Sequence, residues 1–344
     1  MLLQELEKLE HGKPRIDAIK ESIKTAEHEK DIDTEMQMRF CLIQESTFYS
    51  NGYDCVVSFP QMIAKMDFLE KEGGAGAIKP YTHLFMVCFQ WYLSQSSQYY
   101  QIVQKTTEQL RREYKKRCTK YGYSLRSYYM MKLQTAKNEN FIPHWLRLYR
   151  AEKRDILSPA RDFELYQEMV FELRLHNEEN ALELEKLFHE QNFPDSDDTR
   201  FFINCRFARH FNKENKYDHA KPYAIKAFEY LQENPYEFNH MGDILLVCAN
   251  IDVQLGLKVF VTLLDRIKSH NNPSEQFTSF KASLRLLRKL YLRDIFTIEC
   301  LDGTHDTRTL FDWFYKEAMA LAEKFDKSEE GTQNKEDIEG LELL

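Results

Sequence analysis

Large apolar residues return every three or four positions along most of the chain, with charged residues between them, which is the period of an amphipathic helix. On this pattern the sequence predicts helices over about 36–50, 55–71, 81–96, 98–120, 124–137, 140–153, 159–175, 177–190, 197–212, 215–233, 236–255, 256–270 and 274–293. The breaks between them carry turn chemistry at Asn51-Gly52, Gly73-Gly74, Gly122, Ser158-Pro159, Phe193-Pro194, Asn234-Pro235 and Asn272-Pro273. Ser158 and the Asp195-Ser196-Asp197 run are also N-cap signals. No run of strand length alternates with period two, so no sheet is expected. Pairing the helices in order gives six or seven helical hairpins, an all-α fold.

The sharpest unit begins at Phe201. Phe207 and Phe211 flank the small Ala208, a turn follows, and the next helix runs through Tyr217, Ala220, Ala224, Ala227 and Leu231 to Pro235. A helix lacking bulky side chains on one face can sit deep in its neighbour's groove, so Ala208, Phe211, Ala220, Ala224 and Ala227 are the expected packing residues. This unit resembles the tetratricopeptide repeat, although Asn204 stands where that pattern has tryptophan and Ala208 where it has glycine. The chain is also similar in outline to bacterial repeat proteins of this kind. The resemblance implies a right-handed α-solenoid of helix pairs over residues 36–295, a binding surface on its concave side, and no catalytic activity.

The ends read differently. Residues 1–33 carry Leu2, Leu6, Leu9, Ile16, Ile19 and Ile23 at helical spacing around a break at Gly12-Lys-Pro14, as a helical cap or docking arm. Residues 307–327 form one more amphipathic helix, with Phe311, Phe314, Ala318, Leu321, Ala322 and Phe325 on a common side, suited to closing an array. Residues 328–344 are acidic and lack aromatics, so they are expected to be disordered until bound.

Composition supports helices: 43% hydrophobic and 30% charged residues, with only 11 Gly and 9 Pro among 344, leave few turns for a β fold. The net charge of -8 argues against nucleic-acid binding by the whole chain. It conceals a segregation, because residues 105–154 hold 14 Lys/Arg against 4 Asp/Glu, whereas residues 155–200 hold 4 against 13. The seven cysteines stand singly, which fits reduced thiols in a cytoplasmic protein and neither a disulfide framework nor a zinc site. The start has no signal-peptide pattern, and no apolar run is long enough to span a bilayer.

Candidate chemistry is sparse. Gly73-Gly-Ala-Gly76 lacks the Lys-Ser/Thr of a phosphate loop and reads as a connector. His189-Glu190 lacks the second histidine of a zinc-binding helix, and no Gly-x-Ser-x-Gly elbow occurs. A cysteine–histidine dyad assembled by the fold, or a metal shared by His210 and His219, are the remaining catalytic and metal readings, and neither has enough partners in the sequence. No cofactor, metal or catalytic residue is therefore expected.

The basic segment is the sharper candidate. Arg111, Arg112, Lys115, Lys116, Arg126, Arg147 and Arg150 are interleaved with Tyr123 and Tyr129, residue types that anchor protein interfaces and also hold phosphates or stacked bases. Its alternatives are a solvated face with tyrosines filling grooves, a surface for an acidic protein or peptide, and a nucleic-acid footprint. The sequence thus points to a non-catalytic protein- or peptide-binding scaffold with an acidic partner, such as a bacterial toxin-neutralising immunity protein. A peptide-sensing regulator, or a nucleic-acid-linked regulator using residues 105–154, stands behind it. On the first reading, reversing Arg112, Lys116 and Arg126 to Glu weakens the partner without unfolding the chain.

Overall fold

The apolar stripes do fold into helices, and in this computed structural model most helices pack on a sequence neighbour within the same unit. The structure describes residues 3–342 except 51, 103, 137, 195, 235, 236, 238, 271, 302 and 330. Pro235, expected to close the Phe201 repeat, lies outside the described residues. The chain divides into two compact units, residues 1–136 with 143–158, and residues 137–142 with 159–344. The division at 158/159 falls beside the point where the basic segment gives way to the acidic one.

The first unit contains α1 (Leu3–Leu6), α2 (Lys13–Glu29), α3 (Ile32–Tyr49), α4 (Tyr53–Ile78), α5 (Thr82–Ser96), α6 (Gln104–Tyr121), α7 (Arg126–Gln134) and α8 (Ile142–Ala151). Its core is aromatic: Phe59 of α4 stacks on Phe85 at 5.6 Å and on Tyr92 at 4.8 Å, and Phe89 meets Tyr114 of α6 edge-on at 5.4 Å. A smaller cluster of Leu6, Ile16, Ile19, Ile23, Met38 and Leu42 seats α2 on α3. The expected break at Gly73-Gly74 is present as a kink within α4, where Gly74 leaves helical geometry at φ 66°.

The second unit contains a 3-10 turn at Glu139–Phe141, then α9 (Arg161–Arg174), α10 (Glu178–Gln191), α11 (Asp197–Lys213), α12 (Tyr217–Glu233), α13 (Met241–Ile251), α14 (Val253–Ser269), α15 (Pro273–Tyr291), α16 (Thr307–Glu329) and α17 (Gln333–Glu339). Two kinds of contact recur. Neighbours pair as α9 with α10, α11 with α12 and α13 with α14, while the alternate helices α9, α11, α13 and α15 also touch in series. Ala208, Ala220, Ala224 and Ala227 are fully buried between α11 and α12, with Phe211 beside them at 1% exposure. Tyr223 of α12 stacks on Phe207 at 5.1 Å and on Phe211 at 5.8 Å, so the small residues admit the rings between the two helices.

Three expectations are corrected. The break near residue 255 lies at Asp252, whose carboxylate accepts the Gln254 N–H at 3.0 Å and starts α14. A β-hairpin, β1 (Thr297–Cys300) with β2 (Gly303–Asp306), precedes α16 where no strand was expected. Its strands are four residues long, and only Ile298 is buried on β1, so no period-two signal could build up. Part of the tail read as disordered forms α17, held by the fully buried Ile338 and by Asp326 of α16, whose carboxylate accepts the N–H groups of Asn334 at 2.9 Å and Lys335 at 2.8 Å. One apolar anchor and one inter-helix cap outweigh an acidic composition there.

Candidate functional site

The basic segment 105–154 is mostly engaged within the first unit. Arg111 is buried and donates to Glu108 at 3.3 Å, and Lys132 of α7 reaches the same carboxylate at 3.0 Å. Arg117 is buried between Glu113 at 2.9 Å and Asp67 of α4 at 2.6 Å, and Lys120 pairs with Glu70 at 2.6 Å. Arg126, expected to face a partner, is 7% exposed. Its guanidinium lies 4.0 Å over the Tyr149 ring and donates to the carbonyls of Tyr149 at 2.9 Å and Glu152 at 3.1 Å, capping the end of α8. Tyr129 stacks on Trp145 at 6.1 Å, and Tyr123 is half-buried near Thr82. Arg112, Lys115, Lys116, Arg147 and Arg150 are exposed. Lys115 lies 5.3 Å from the Tyr128 ring centre, and Lys116 is 4.0 Å from Glu113. Arg111 and Arg126 are thus internal structure, two of the nine candidate residues: an Arg or Lys at every third or fourth position also meets the carboxylates of neighbouring helices, which a residue count along one segment does not reveal.

A more concentrated basic surface lies in the second unit. On α11, Arg206, Arg209 and Lys213 follow at intervals of three and four and share one face. On α15, Thr278, Lys281 and Arg285 do the same. Because α11, α13 and α15 touch in series, the two rows face a common cavity of about 510 Å³ that is also lined by Asn212, Asp243 and Glu275. A smaller cavity of about 130 Å³ adjoins it, sharing Arg206, Arg209 and Lys213 and adding Arg174, His210 and Glu139. The resulting groove gathers Arg174, Arg206, Arg209, Lys213, Lys281 and Arg285 from three helices.

The helices come close enough for this because Gly242 of α13 lies under the backbone of α15. A Cβ there would stand 2.6 Å from Ser279 N and 2.7 Å from Thr278 C. Side-chain bonds then tie the three helices together. Lys289 Nζ of α15 donates to Asn250 Oδ1 of α13 at 2.6 Å, and Asn250 donates to Asn212 Oδ1 of α11 at 3.0 Å. At the other end, His240 takes a left-handed conformation (φ 63°) and donates its N–H to Glu275 Oε2 of α15 at 3.0 Å.

Electrostatically the groove carries excess positive charge in partial burial. Burial lowers the Lys281 amine, with Arg285 and Arg209 adding to the effect against the opposing carboxylates of Asp337 and Asp243. Burial likewise lowers Lys289, reinforced by Arg293 and Arg285, and it lowers Arg174, an effect that the Glu139 carboxylate partly offsets and the Arg206 charge adds to. Asp243 is the principal internal counter-ion. Burial pushes its carboxyl up, but the His240 hydrogen bond and the charges of Arg209, His240 and Arg206 overcome this and hold it at about 2. Burial raises Glu275, so this second carboxyl holds its proton more tightly. Arg206 also donates from Nε to Tyr166 at 3.2 Å and Arg209 pairs with Asp243 at 3.2 Å, whereas no side-chain hydrogen bond or ion pair of Lys213 or Arg285 occurs among the described residues. Cations crowded together with few counter-ions are stabilised by an anion in the groove.

The other candidate chemistry is dispersed. His210 of α11 faces Glu178 at 3.3 Å, His219 is exposed beside the Phe211 ring, and no group of three metal-binding side chains occurs among the described residues. Burial pushes the thiols of Cys55, Cys118 and Cys248 up to about 12. No described helix is long and apolar enough to cross a membrane. The sequence signal for the groove was present in the i, i+3, i+7 spacing of Arg206, Arg209 and Lys213, but its two basic rows are separated by helices α12 to α14. Comparison of the chain with protein-family models, with curated proteins and with solved structures finds no match in any of the three.

Proposed function

We propose that the chain is a non-catalytic binding protein in which α9 to α16 form a tetratricopeptide-type repeat array. Its alternate helices α9, α11, α13 and α15 hold an acidic polypeptide segment in the basic groove. The observation that carries this reading is the convergence of Arg206, Arg209 and Lys213 with Lys281 and Arg285 on one cavity of about 510 Å³. The paired and serial contacts of the helices support the repeat reading, since each pair buries its apolar face only by stacking on the next. Acidic polypeptide is favoured over nucleic acid because Asp243, Glu275 and Glu139 lie among the cations and can accept from backbone amides, donors that a phosphate backbone lacks. The same carboxylates, with Asn212 and Ser274, suit a ligand that presents both amides and carboxylates. A toxin-neutralising role in the cytoplasm is one form of this function, consistent with seven unpaired cysteines.

Titration of the chain against a fluorescein-labelled oligoglutamate peptide and a single-stranded oligonucleotide, at two salt concentrations, tests the reading. Saturable binding of the peptide, weakened by salt and stronger than that of the oligonucleotide, is the expected result. Preference for the oligonucleotide, with a steep salt dependence, overturns it.

A further inference from the structure

Helix α17 sets an acidic segment against the rim of the groove. The stretch from Gly331 to Glu342 contains Glu336, Asp337, Glu339 and Glu342 against a single Lys335. Seven residues do not hold a helix in water by themselves, so α17 depends on its docking contacts. Those contacts have one buried apolar anchor. Ile338 is buried, Asp326 caps the first turn, Arg288 Nη1 donates to the Gly340 carbonyl at 3.2 Å, and Tyr315 donates to Glu342 at 2.8 Å.

The Arg288 bond reaches α15, the helix that carries one basic row, and an ion pair does so as well. Asp337 Oδ2 lies 3.9 Å from Lys281 Nζ, and Lys281 lines the groove. Arg288, which holds the Gly340 carbonyl, stands three residues after Arg285 on the same helix. The acidic side chain of α17 therefore occupies a cation that an acidic ligand of the groove would meet. Glu336 and Glu339 remain exposed one position either side of Asp337 and Ile338.

We propose that α17 is a detachable intrachain competitor, an acidic segment that shares Lys281 with the ligand and is displaced when the ligand binds. The inference rests on the reading of the groove as a site for acidic polypeptide. Elements held by few buried contacts open at the low end of a protein's stability range, so ligand binding is able to displace α17. The apparent affinity of the groove is then reduced by the fraction of molecules in which α17 is docked.

The full chain is titrated with fluorescein-labelled oligoglutamate as wild type, as Ile338→Ser, which removes the apolar anchor, and as Asp337→Asn, which removes only the charge. Hydrogen exchange of residues 333–339 is followed with and without the peptide. Expected are a gain in affinity of about five- to tenfold for Ile338→Ser, about twofold for Asp337→Asn, and faster exchange in α17 when peptide is bound. Asp337→Asn leaves the packing in place, so it and the exchange measurement carry the test if Ile338→Ser loses helical structure. If wild type binds the peptide but the variants match it and exchange in α17 does not respond, the competitor is overturned while the groove stands. If none of the chains binds the peptide, the groove reading fails and the competitor with it.

Discussion

Arg209 on α11 and Asp243 on α13 meet across the groove, Nη1 to Oδ2 at 3.2 Å, and His240 Nδ1 reaches the same oxygen at 3.2 Å. One carboxylate thus holds both Arg209 and His240, while Lys281 pairs with Asp337 at 3.9 Å and Arg285 makes no ion pair among the described residues. This arrangement is what the proposed acidic ligand would meet, and it makes Asp243 a carboxylate whose protonation the fold should feel.

Asp243 has a folded pKa of about 2, below its ordinary 3.8. A depressed carboxyl contributes stability that is fully present above the unfolded value and is lost as pH falls through the folded one. The shift corresponds to about 2 kcal/mol. Urea unfolding of wild type and Asp243→Asn across pH should therefore show a stability gap that is constant above about pH 5 and narrows by about that amount toward pH 2. A gap that does not change with pH would mean that Asp243 carries no special charge stabilisation.

Close approach of α13 and α15 depends on Gly242. Substitution by alanine places a methyl group 2.6 to 2.7 Å from the backbone at Thr278 and Ser279, which cannot rotate away as a side chain can. A loss of about 1–3 kcal/mol is expected in denaturant unfolding. Gly76→Ala in α4 is the control, since a Cβ there meets nothing within 4 Å, and it should be neutral or gain up to about 1 kcal/mol from helix propensity.

Arg126 closes the end of α8 from the interior of the first unit. Its replacement by methionine keeps much of the side-chain volume but leaves the Tyr149 and Glu152 carbonyls without their donor. Destabilisation of about 2–4 kcal/mol is expected, read as a lower melting temperature of the variant. The combined reversal of Arg112, Lys116 and Arg126 would thus lose stability through Arg126 whatever it does to a partner.

How far the sequence reached follows from the range over which each signal acts. Ala208, Ala220, Ala224 and Ala227 were legible as packing residues because helical spacing and small size act within one hairpin. The two units, the hairpin at Thr297–Asp306 and the docking of α17 through Ile338 were not, since each depends on contacts between elements too short to leave a period. Part of the basic segment is internal for a related reason. Net charge along residues 105–154 counts Arg117 and Lys120 without the Asp67 and Glu70 that meet them. Arg206, Arg209, Lys281 and Arg285 converge only when α11 and α15 are brought to either side of Gly242.

The most direct test compares the two basic surfaces in one binding experiment. Lys213→Glu with Arg285→Glu reverses two groove cations, while Arg112→Glu with Lys116→Glu reverses two exposed cations of the first unit; each pair is titrated against the same labelled oligoglutamate. The groove pair should weaken binding about tenfold or more, a change of about 1.4 kcal/mol per factor of ten, with the other pair near wild type. Unchanged binding by the groove pair, with loss in the Arg112 and Lys116 pair, would contradict the assignment and return the partner surface to residues 105–154.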